Sequence, residues 1–273
     1  MQQIKDRDAK FDTSEKQRLQ IWDDLQRLQA DLCFDQEIAA YYMSDKWLDD
    51  ARTVLDVGTG NGYFLNKIWQ HFPNKSYTGI DISEELIDIA KSVTGNAAIR
   101  LQAQDYFDVE GQFDFIIMRL FWQHLPMTRI DEACAKLEKI TNPGASVLIS
   151  DAYDEVRCFY PPLIEFQQVI GAYKQQQIEI ERNRDILGTI KDWANSTAIW
   201  SVGYELSVIL PSTIPGKIKL YHQIYKLWID LFENLGELQM DFGPVKKEIS
   251  RWKTNDSAYT QAGIRVIRLD RIA

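Results

Sequence analysis

The sequence predicts an α/β protein built on a doubly wound parallel sheet, and three observations carry that prediction. Short apolar segments alternate with amphipathic helical segments from position 53 to position 153, which is typical of βαβ units. Several of the short segments, such as "FDFIIMRL", are apolar without interruption, as expected for central strands buried on both faces. The first segment ends in "VGTGNG", whose glycines indicate a backbone that passes close to a ligand.

The N-terminal segment is predicted to be helical over residues 13–48. It opens with "TSEK", which combines a capping residue with an early glutamate, and apolar residues then recur at helical spacing. Five strands are predicted in "TVLDVG", "YTGIDIS", "AIRLQAQD", "FDFIIMRL" and "ASVLISDAY". The helices between them lie in "NGYFLNKIWQHF", in "SEELIDIAKSV", with Ser83 as its cap, and in "MTRIDEACAKLEKIT".

The regular alternation ends after Asp151, which closes the fifth strand. Residues 154–200 are predicted to be mainly helical, and "YELSVILPST" and "AGIRVIRLD" are predicted strands. The segment "KIKLYHQIYKLWIDLFENLGEL" is a predicted amphipathic helix that could pack on the core, form a homodimer surface or line the pocket. Core packing is the expected one of the three. The basic run "VKKEISRWK" is interpreted as solvated surface.

This pattern divides the chain into three parts. Residues 1–50 form an N-terminal helical cap, residues 51–153 a ligand-binding core, and residues 154–273 helical lid insertions together with the last two strands of the sheet. In open parallel sheets, ligands bind beyond the carboxyl ends of the strands, where the strand order reverses. That rule places the glycine turn, Asp81, Asp105 and "RLFWQH" in one crevice, which we expect the additions to cover.

Composition and charge exclude several classes of partner. The chain has 273 residues and a formal net charge of −9, so nucleic acid is not an expected partner. No apolar run is long enough to cross a bilayer and "MQQIKDRDAKFD" lacks a signal-peptide core, so a cytoplasmic protein without a membrane partner is expected. Three histidines without a carboxylate cluster predict no metal site. Neither a zinc pattern nor a disulfide framework is formed by Cys33, Cys134 and Cys158.

The glycine pattern does not fit a dinucleotide. A dinucleotide fingerprint reads G-x-G-x-x-G/A, and its third small residue lets the helix pack closely on the strand. Gly58 and Gly60 match, but Tyr63 stands at the third position. Asp56, two residues before Gly58, would repel a pyrophosphate but could accept hydrogen bonds from an ammonium group or a bound water. Both features disfavour a nicotinamide oxidoreductase.

The ends of the next two strands suit an adenosine that carries no phosphates. Asp81 ends the second strand, where a carboxylate can accept hydrogen bonds from both ribose hydroxyls. Asp105 ends the third strand, where an acceptor can reach an adenine amino group. Ile82 and Tyr106 follow these two carboxylates and would supply apolar walls.

At this point the chain resembles a class I S-adenosylmethionine-dependent methyltransferase. The resemblance rests on "VLDVGTGNG", "GIDIS", "QDYF", "FDFIIMRLFWQHLP" and "NPGASVLISDAY", in the family's order and spacing over residues 53–153. It implies the Rossmann-like, seven-stranded methyltransferase fold and S-adenosyl-L-methionine as the cofactor. "RLFWQHLP" stands where other subgroups carry Asn or Asp followed by Pro-Pro-aromatic, and it resembles the small-molecule branch.

The resemblance also implies a role for each matched position. The methionine end would be held by Asp56, Gly58, Thr59, Gly60 and Gly62. The ribose and one adenine face would meet Asp81 and Ile82, and the adenine would also meet Asp105 and Tyr106. The methyl-donor site would be lined by Arg119 and Leu120.

His124 is the local candidate for a catalytic base, because it follows the fourth strand by a few residues. A base is needed only for an acceptor that must lose a proton. Two other roles stay open for His124: packing or capping at the start of the next helix, and contact with the substrate without proton transfer.

The acceptor is inferred from aromatic residues near the strand ends, most of which we expect to be core. Phe121, Trp122, Tyr42 and Tyr153 are the predicted acceptor contacts. The leading hypothesis is methyl transfer to an oxygen or nitrogen of a small, aromatic or apolar molecule of secondary metabolism. A protein or peptide methyltransferase and a non-catalytic S-adenosylmethionine-binding scaffold are the alternatives.

Overall fold

A central sheet organises the computed structural model, which describes residues 2–42, 48–95, 98–236 and 238–272. Within these ranges eight strands join one sheet. They are β1 Thr53–Val57, β2 Ser76–Asp81, β3 Ile99–Ala103, β4 Phe113–Arg119, β5 Thr141–Ala152, β6 Cys158–Tyr160, β7 Trp200–Pro211 and β8 Tyr259–Arg271.

The strand order is β3-β2-β1-β4-β5-β8-β6, and β7 pairs with β8. Strands β1 to β5 pair in parallel, and β8 is antiparallel to its neighbours. Gln261 of β8 pairs with Cys158 and also with Pro211, so β6 continues the row of β5 and β7 forms the outer edge. The strand order reverses between β1 and β4, which opens a crevice at their carboxyl ends. The predicted doubly wound, Rossmann-like sheet is confirmed, with eight strands in the described ranges where the resemblance implies seven.

Helices cover both faces of this sheet, because alternate strand residues enter different cores. Ile117 belongs to one buried cluster, with side chains of α1, α2, α5, α7 and α8, and Ile116 to the other, with side chains of α4 and α6. The helices are α1 Gln2–Tyr42, α2 Tyr63–His71, α3 Glu84–Thr94, α4 Ile130–Ile140, α5 Ile164–Glu179, α6 Leu187–Ser196, α7 Lys217–Leu235 and α8 Gly243–Lys253.

Several helix predictions hold, and two need correction. Ser83 caps α3 as predicted, since its Oγ accepts a hydrogen bond from Leu86 N at 3.2 Å. The amphipathic helix α7 packs its apolar face in the core beside α1. Helix α1 begins at Gln2 rather than at position 13, so "TSEK" lies inside it.

The basic run "VKKEISRWK" is not merely solvated surface, because it forms most of α8. Val245, Ile249 and Trp252 of this helix are buried. Their spacing of four and three residues places them on one helix face, while the lysines and arginines lie between them in the sequence. No helix in the described ranges is long and apolar enough to cross a membrane.

A buried ion pair fastens α1 to the end of β4. Arg119 donates to both carboxylate oxygens of Glu37, from Nε to Oε2 and from Nη2 to Oε1, each at 3.0 Å. The side chain of Glu37 has no exposed surface and that of Arg119 is 11% exposed. The guanidinium also lies 4.5 Å from the centre of the Phe64 ring. The N-terminal helix is thereby joined to the strand that ends at the crevice.

Replacing Glu37 with alanine should lower the free energy of unfolding by about 3–5 kcal/mol, because Arg119 would be left buried without its carboxylate. Urea unfolding of both proteins measures this difference. Glu15→Ala is the matched control on the same helix, since Glu15 pairs with Arg18 at an exposed site and should contribute at most about 0.5 kcal/mol. Equal effects of the two substitutions would contradict the anchoring role.

Candidate active site

The glycine turn after β1 is tight because other elements approach it closely. Gly60 and Gly62 have φ angles of 54° and 68°, which favour glycine. A Cβ on Gly60 would lie 2.5 Å from Oε1 of Gln26 in α1, and one on Gly62 would lie 2.9 Å from the Cβ of Ala90 in α3. Gly62 therefore allows close packing of α3, and Gly60 allows α1 to reach the turn.

Helix α1 supplies site residues that the motif analysis missed. Gln26 Oε1 accepts a hydrogen bond from Asn61 N at 2.8 Å. Asn61 Nδ2 donates to Oδ1 of Asp23 at 2.6 Å. These contacts join segments that are far apart in sequence. The sequence offered one signal of these contacts, the Asn61 of "GTGNG". A polar amide side chain that is buried among glycines requires hydrogen-bond partners from another segment.

Asp56 is a buried carboxylate with spare capacity to accept hydrogen bonds. It is 3% exposed, and burial raises its pKa to about 6, against the opposing effects of Thr59 and Arg119. The Thr59 hydroxyl comes near enough to lower this pKa, yet it makes no hydrogen bond of normal geometry among the described residues. A buried carboxylate of this kind suits a positively charged ligand group.

Asp81 lies at the end of β2 with both oxygens turned to backbone donors. Oδ2 accepts from Gly60 N at 2.9 Å, and Oδ1 accepts from Ser83 N at 3.0 Å. Partial burial raises the pKa of Asp81, and these two hydrogen bonds oppose the rise. Each carboxylate oxygen has a second lone pair for a ligand hydroxyl. The next residue, Ile82, is 76% exposed, an apolar surface open to solvent beside the crevice.

Two predicted adenine contacts, Asp105 and Tyr106, follow β3, and only the first is available to a ligand. Asp105 Oδ1 accepts from Phe107 N at 3.0 Å, and its other oxygen stays available to a ligand. Tyr106 is 3% exposed and its hydroxyl donates to Ala133 O at 2.8 Å. Tyr106 is thus a core residue whose ring packs edge-on against Phe121, with the ring centres 5.4 Å apart.

The backbone turns sharply after β4. Leu120 has a φ of 54°, which is rare for a residue with a branched side chain and is concentrated at functional sites. Its N–H donates to Ser150 O at 2.7 Å. Phe121 lies against the glycine turn, since its Cδ2 would be 3.1 Å from a Cβ on Gly58. Phe121 therefore lies beside the glycine turn, at the carboxyl edge of the sheet.

Three other predicted acceptor contacts differ in their placement. Trp122 has no exposed surface and packs in the core with α4 and α6, so an acceptor does not reach it in this conformation. Tyr153 is half-buried and its N–H donates to Gly263 O of β8 at 2.9 Å. The side chain of Tyr42 lies outside the described residues.

His124 lies in the short helical turn Trp122–His124 that follows β4, and the residue is exposed to solvent. Desolvation, followed by the positive charges of Arg182 and Arg184, lowers its pKa to about 4. The imidazole is therefore neutral at pH 7. The described residues hold no group of three His, Cys, Asp or Glu side chains that could bind a metal.

A second buried carboxylate, Asp151, lies at the end of β5 as predicted. Asp151 is 1% exposed, and its oxygens accept from Gln123 N and Ala152 N, each at 3.1 Å. Burial raises the pKa of Asp151 to about 7, while Arg184 and Arg119 lower it. Asp151 ties the segment after β4 to β5.

Comparison with known proteins finds similarity over the part of the chain that contains the glycine turn and β1 to β4. Residues 54–144 match the family model described as "Methyltransferase domain". The malonyl-[acyl-carrier protein] O-methyltransferase of Anoxybacillus flavithermus is 26% identical over 140 residues, 49% of this chain and 53% of that protein. Its counterpart from Neorickettsia risticii is 31% identical over 114 residues, 40% of this chain and 43% of that protein. The chain spans about half the length of the curated relatives it matches.

One solved structure shows the shared fold. A Bacillus halodurans protein provisionally assigned as a methyltransferase superposes with a TM-score of 0.52 at 12% identity, covering 86% of this chain and 97% of that chain.

Removing the Asp56 charge should stabilise the protein while it weakens cofactor binding. The raised pKa means that the folded protein holds a proton that the unfolded chain has lost between about pH 4 and 6. This contribution to stability is therefore complete below about pH 4, falls as the pH rises from about 4 to 6, and is absent above 6. Asp56→Asn should raise the free energy of unfolding by about 1–3 kcal/mol at pH 8 and by little at pH 4.

Urea unfolding at both pH values tests this, and calorimetry with S-adenosylhomocysteine at pH 8 should show at least about tenfold weaker binding. Loss of stability at pH 8 would show that Asp56 is a structural acceptor rather than a ligand-binding carboxylate.

The exposed Ile82 gives a test that is independent of folding. Ile82→Ala should leave the unfolding midpoint unchanged but weaken S-adenosylhomocysteine binding by about threefold to tenfold, since about 1 kcal/mol of apolar contact is lost. Ile272→Ala is a matched control, because Ile272 is 63% exposed at the other end of the chain. Unchanged affinity in Ile82→Ala would remove this residue from the adenine wall.

Proposed function

We propose that this chain, whose residues 54–144 form a class I S-adenosylmethionine-dependent methyltransferase domain, moves a methyl group to an oxygen or nitrogen of a small metabolite. The observation that carries the proposal is the meeting of Asp56, Asp81 and Ile82 at the carboxyl edge of the sheet. Asp56 is a buried carboxylate that can accept further hydrogen bonds, Asp81 accepts a hydrogen bond from the glycine turn, and Ile82 is an exposed apolar side chain.

The residues of the crevice fit the cofactor. Bound S-adenosylmethionine supplies an electrophilic methyl group on a positively charged sulfur. Asp56 would accept hydrogen bonds from the ammonium group, and Asp81 would accept those of the ribose hydroxyls. Ile82 would cover one adenine face, and the unused oxygen of Asp105 would accept the amino group. Gly58, Thr59, Gly60 and Gly62 would form the turn beneath the methionine end.

Positioning would supply most of the acceleration. Well-oriented reactants can contribute about 7–11 kcal/mol, and this requires a rigid wall at the end of β4. Arg119 is fixed there by Glu37, and Leu120 is held in its unusual conformation by Ser150 O. Phe121 would form the wall between the cofactor and the acceptor and exclude water. An aromatic or apolar acceptor suits this wall.

His124 would handle the proton of an acceptor that must lose one. It is neutral at pH 7 and can accept a proton, but a pKa of about 4 makes it a weak base. The positive charges that lower its pKa also favour the ionised form of a nearby hydroxyl. His124 would therefore act on acceptors that ionise readily, such as phenols.

A radiolabelled methyl assay tests the proposal. The protein is incubated with methyl-labelled S-adenosylmethionine and a panel of phenols, carboxylic acids and amines, and labelled products are separated by size. Transfer to a small molecule in the wild type, with at least about tenfold less in Asp81→Ala, is the expected result. Asp88→Ala on exposed α3 surface is the control.

Other outcomes would replace this proposal. Label found only on polypeptides would favour a protein or peptide methyltransferase. Cofactor binding without transfer to any acceptor of the panel or of a cell extract would favour the non-catalytic scaffold.

A further inference from the structure

A group of cations lies beside the crevice although the chain is acidic overall. Three of them share one carboxylate. Asp154 accepts from Arg184 Nε at 2.9 Å and from Arg157 Nη2 at 2.9 Å, and Lys174 Nζ lies 3.2 Å away. Burial raises the pKa of Asp154, but these positive charges outweigh burial and hold the pKa well below its usual range. Arg184 also donates to Gln123 Oε1 at 2.8 Å, so these three cations are occupied.

Arg182 differs from this group. Arg182 is half-buried, and its side chain makes no ion pair or hydrogen bond with the side chains that the structure describes. Taking a charge partly out of water costs free energy that a charged partner can offset. A guanidinium left in this state, at the edge of a ligand crevice, is available to an anion.

The backbone around Arg182 is well fixed. Its N–H donates to Gln177 O at 2.8 Å, and it forms an antiparallel bridge with Pro126. The neighbouring residue Glu181 has a φ of 59°, and its carbonyl accepts from Met127 N at 2.7 Å. The connection between α5 and α6 is thus held against the segment that follows β4. The backbone of Arg182 is therefore held in place by hydrogen bonds to neighbouring segments.

The bridge between Arg182 and Pro126 brings Arg182 close to His124, which lies two residues before Pro126. The charge of Arg182 reaches His124 strongly enough to lower the pKa of its imidazole. Gln123, next to His124 in sequence, is tied to Arg184 and through its N–H to Asp151 at the end of β5. Arg182 and His124 therefore lie on adjoining segments beyond the end of β4, beside the proposed methyl-transfer site.

We infer that the acceptor is a small carboxylic acid whose carboxylate is bound by Arg182, with His124 as a neutral hydrogen-bond donor beside it. The inference rests on the proposed function and specifies its substrate class. One free guanidinium matches a monoanion, and its planar fork matches the two oxygens of a carboxylate. A phosphate dianion would require more of the cations that Asp154 already occupies.

The surroundings of this bridge suit an acid with an apolar body. Met127 and Ile180 flank the hydrogen bond between Met127 N and Glu181 O, and their side chains are 38% and 47% exposed. Large exposed apolar side chains beside a binding position offer contact to the non-polar part of a ligand. The carboxylate would fix the orientation of the acceptor, and the apolar contacts would add affinity.

Calorimetry on the protein saturated with S-adenosylhomocysteine tests the inference. The probes are benzoate and phenylacetate, their carboxamides, and inorganic phosphate. The expected result is binding of the carboxylates at least tenfold tighter than of the carboxamides or of phosphate. Arg182→Gln should lose this preference, and Arg182→Lys should retain part of it because the charge stays while the fork is lost.

Controls separate this inference from the proposed function. Arg251→Gln removes an exposed arginine of α8 and should change nothing, and thermal unfolding should show that the Arg182 variants are folded. If Arg182→Gln binds S-adenosylhomocysteine normally and carboxylates as tightly as the wild type, the inference is wrong while the cofactor site stands. Tighter binding of phosphate than of carboxylates would also overturn it. Failure of the wild type to bind S-adenosylhomocysteine would instead refute the proposed function.

Discussion

The proposed cofactor site depends on the close approach of three elements to one glycine turn. Gln26 of α1 contacts the turn at Gly60, Ala90 of α3 contacts it at Gly62, and Phe121 contacts it at its first glycine. Side chains at these positions would push the elements apart, because protein interiors are packed too tightly to absorb them. The turn therefore determines both how the N-terminal helix docks and where the wall after β4 stands.

Electrostatics gives this crevice its chemical character. Asp56 and Asp151 are buried carboxylates with raised pKa values, so the folded protein maintains them at a cost to its stability. Desolvation, together with the charges of nearby guanidinium groups, keeps His124 neutral. Negative groups thus lie on the proposed cofactor side, where a positively charged ligand is expected, and positive groups lie near His124. Perturbed pKa values cluster at functional sites, which supports the proposed binding site.

The sequence predicted the parts of the site that follow the chain locally. Alternating periodicity predicted the sheet, and the carboxyl-end rule brought the glycine turn, Asp81 and the segment after β4 into one crevice. Contacts between distant segments could not be predicted. The partnerships of Gln26 with Asn61 and of Glu37 with Arg119 cross tens of residues, and a single polar residue on a helix carries no signal of its partner. Burial was also misjudged at Trp122, because an aromatic residue after a strand can turn either to the core or to the ligand.

One measurement tests the central claim, that the crevice binds S-adenosylmethionine through Asp56, Asp81 and Ile82. It is a calorimetric titration of the wild-type protein with S-adenosylhomocysteine and, in parallel, with NAD. The account predicts saturable one-site binding of S-adenosylhomocysteine and no heat from NAD, since Asp56 repels a pyrophosphate. Binding of NAD, or no binding of S-adenosylhomocysteine to the folded protein, would contradict it.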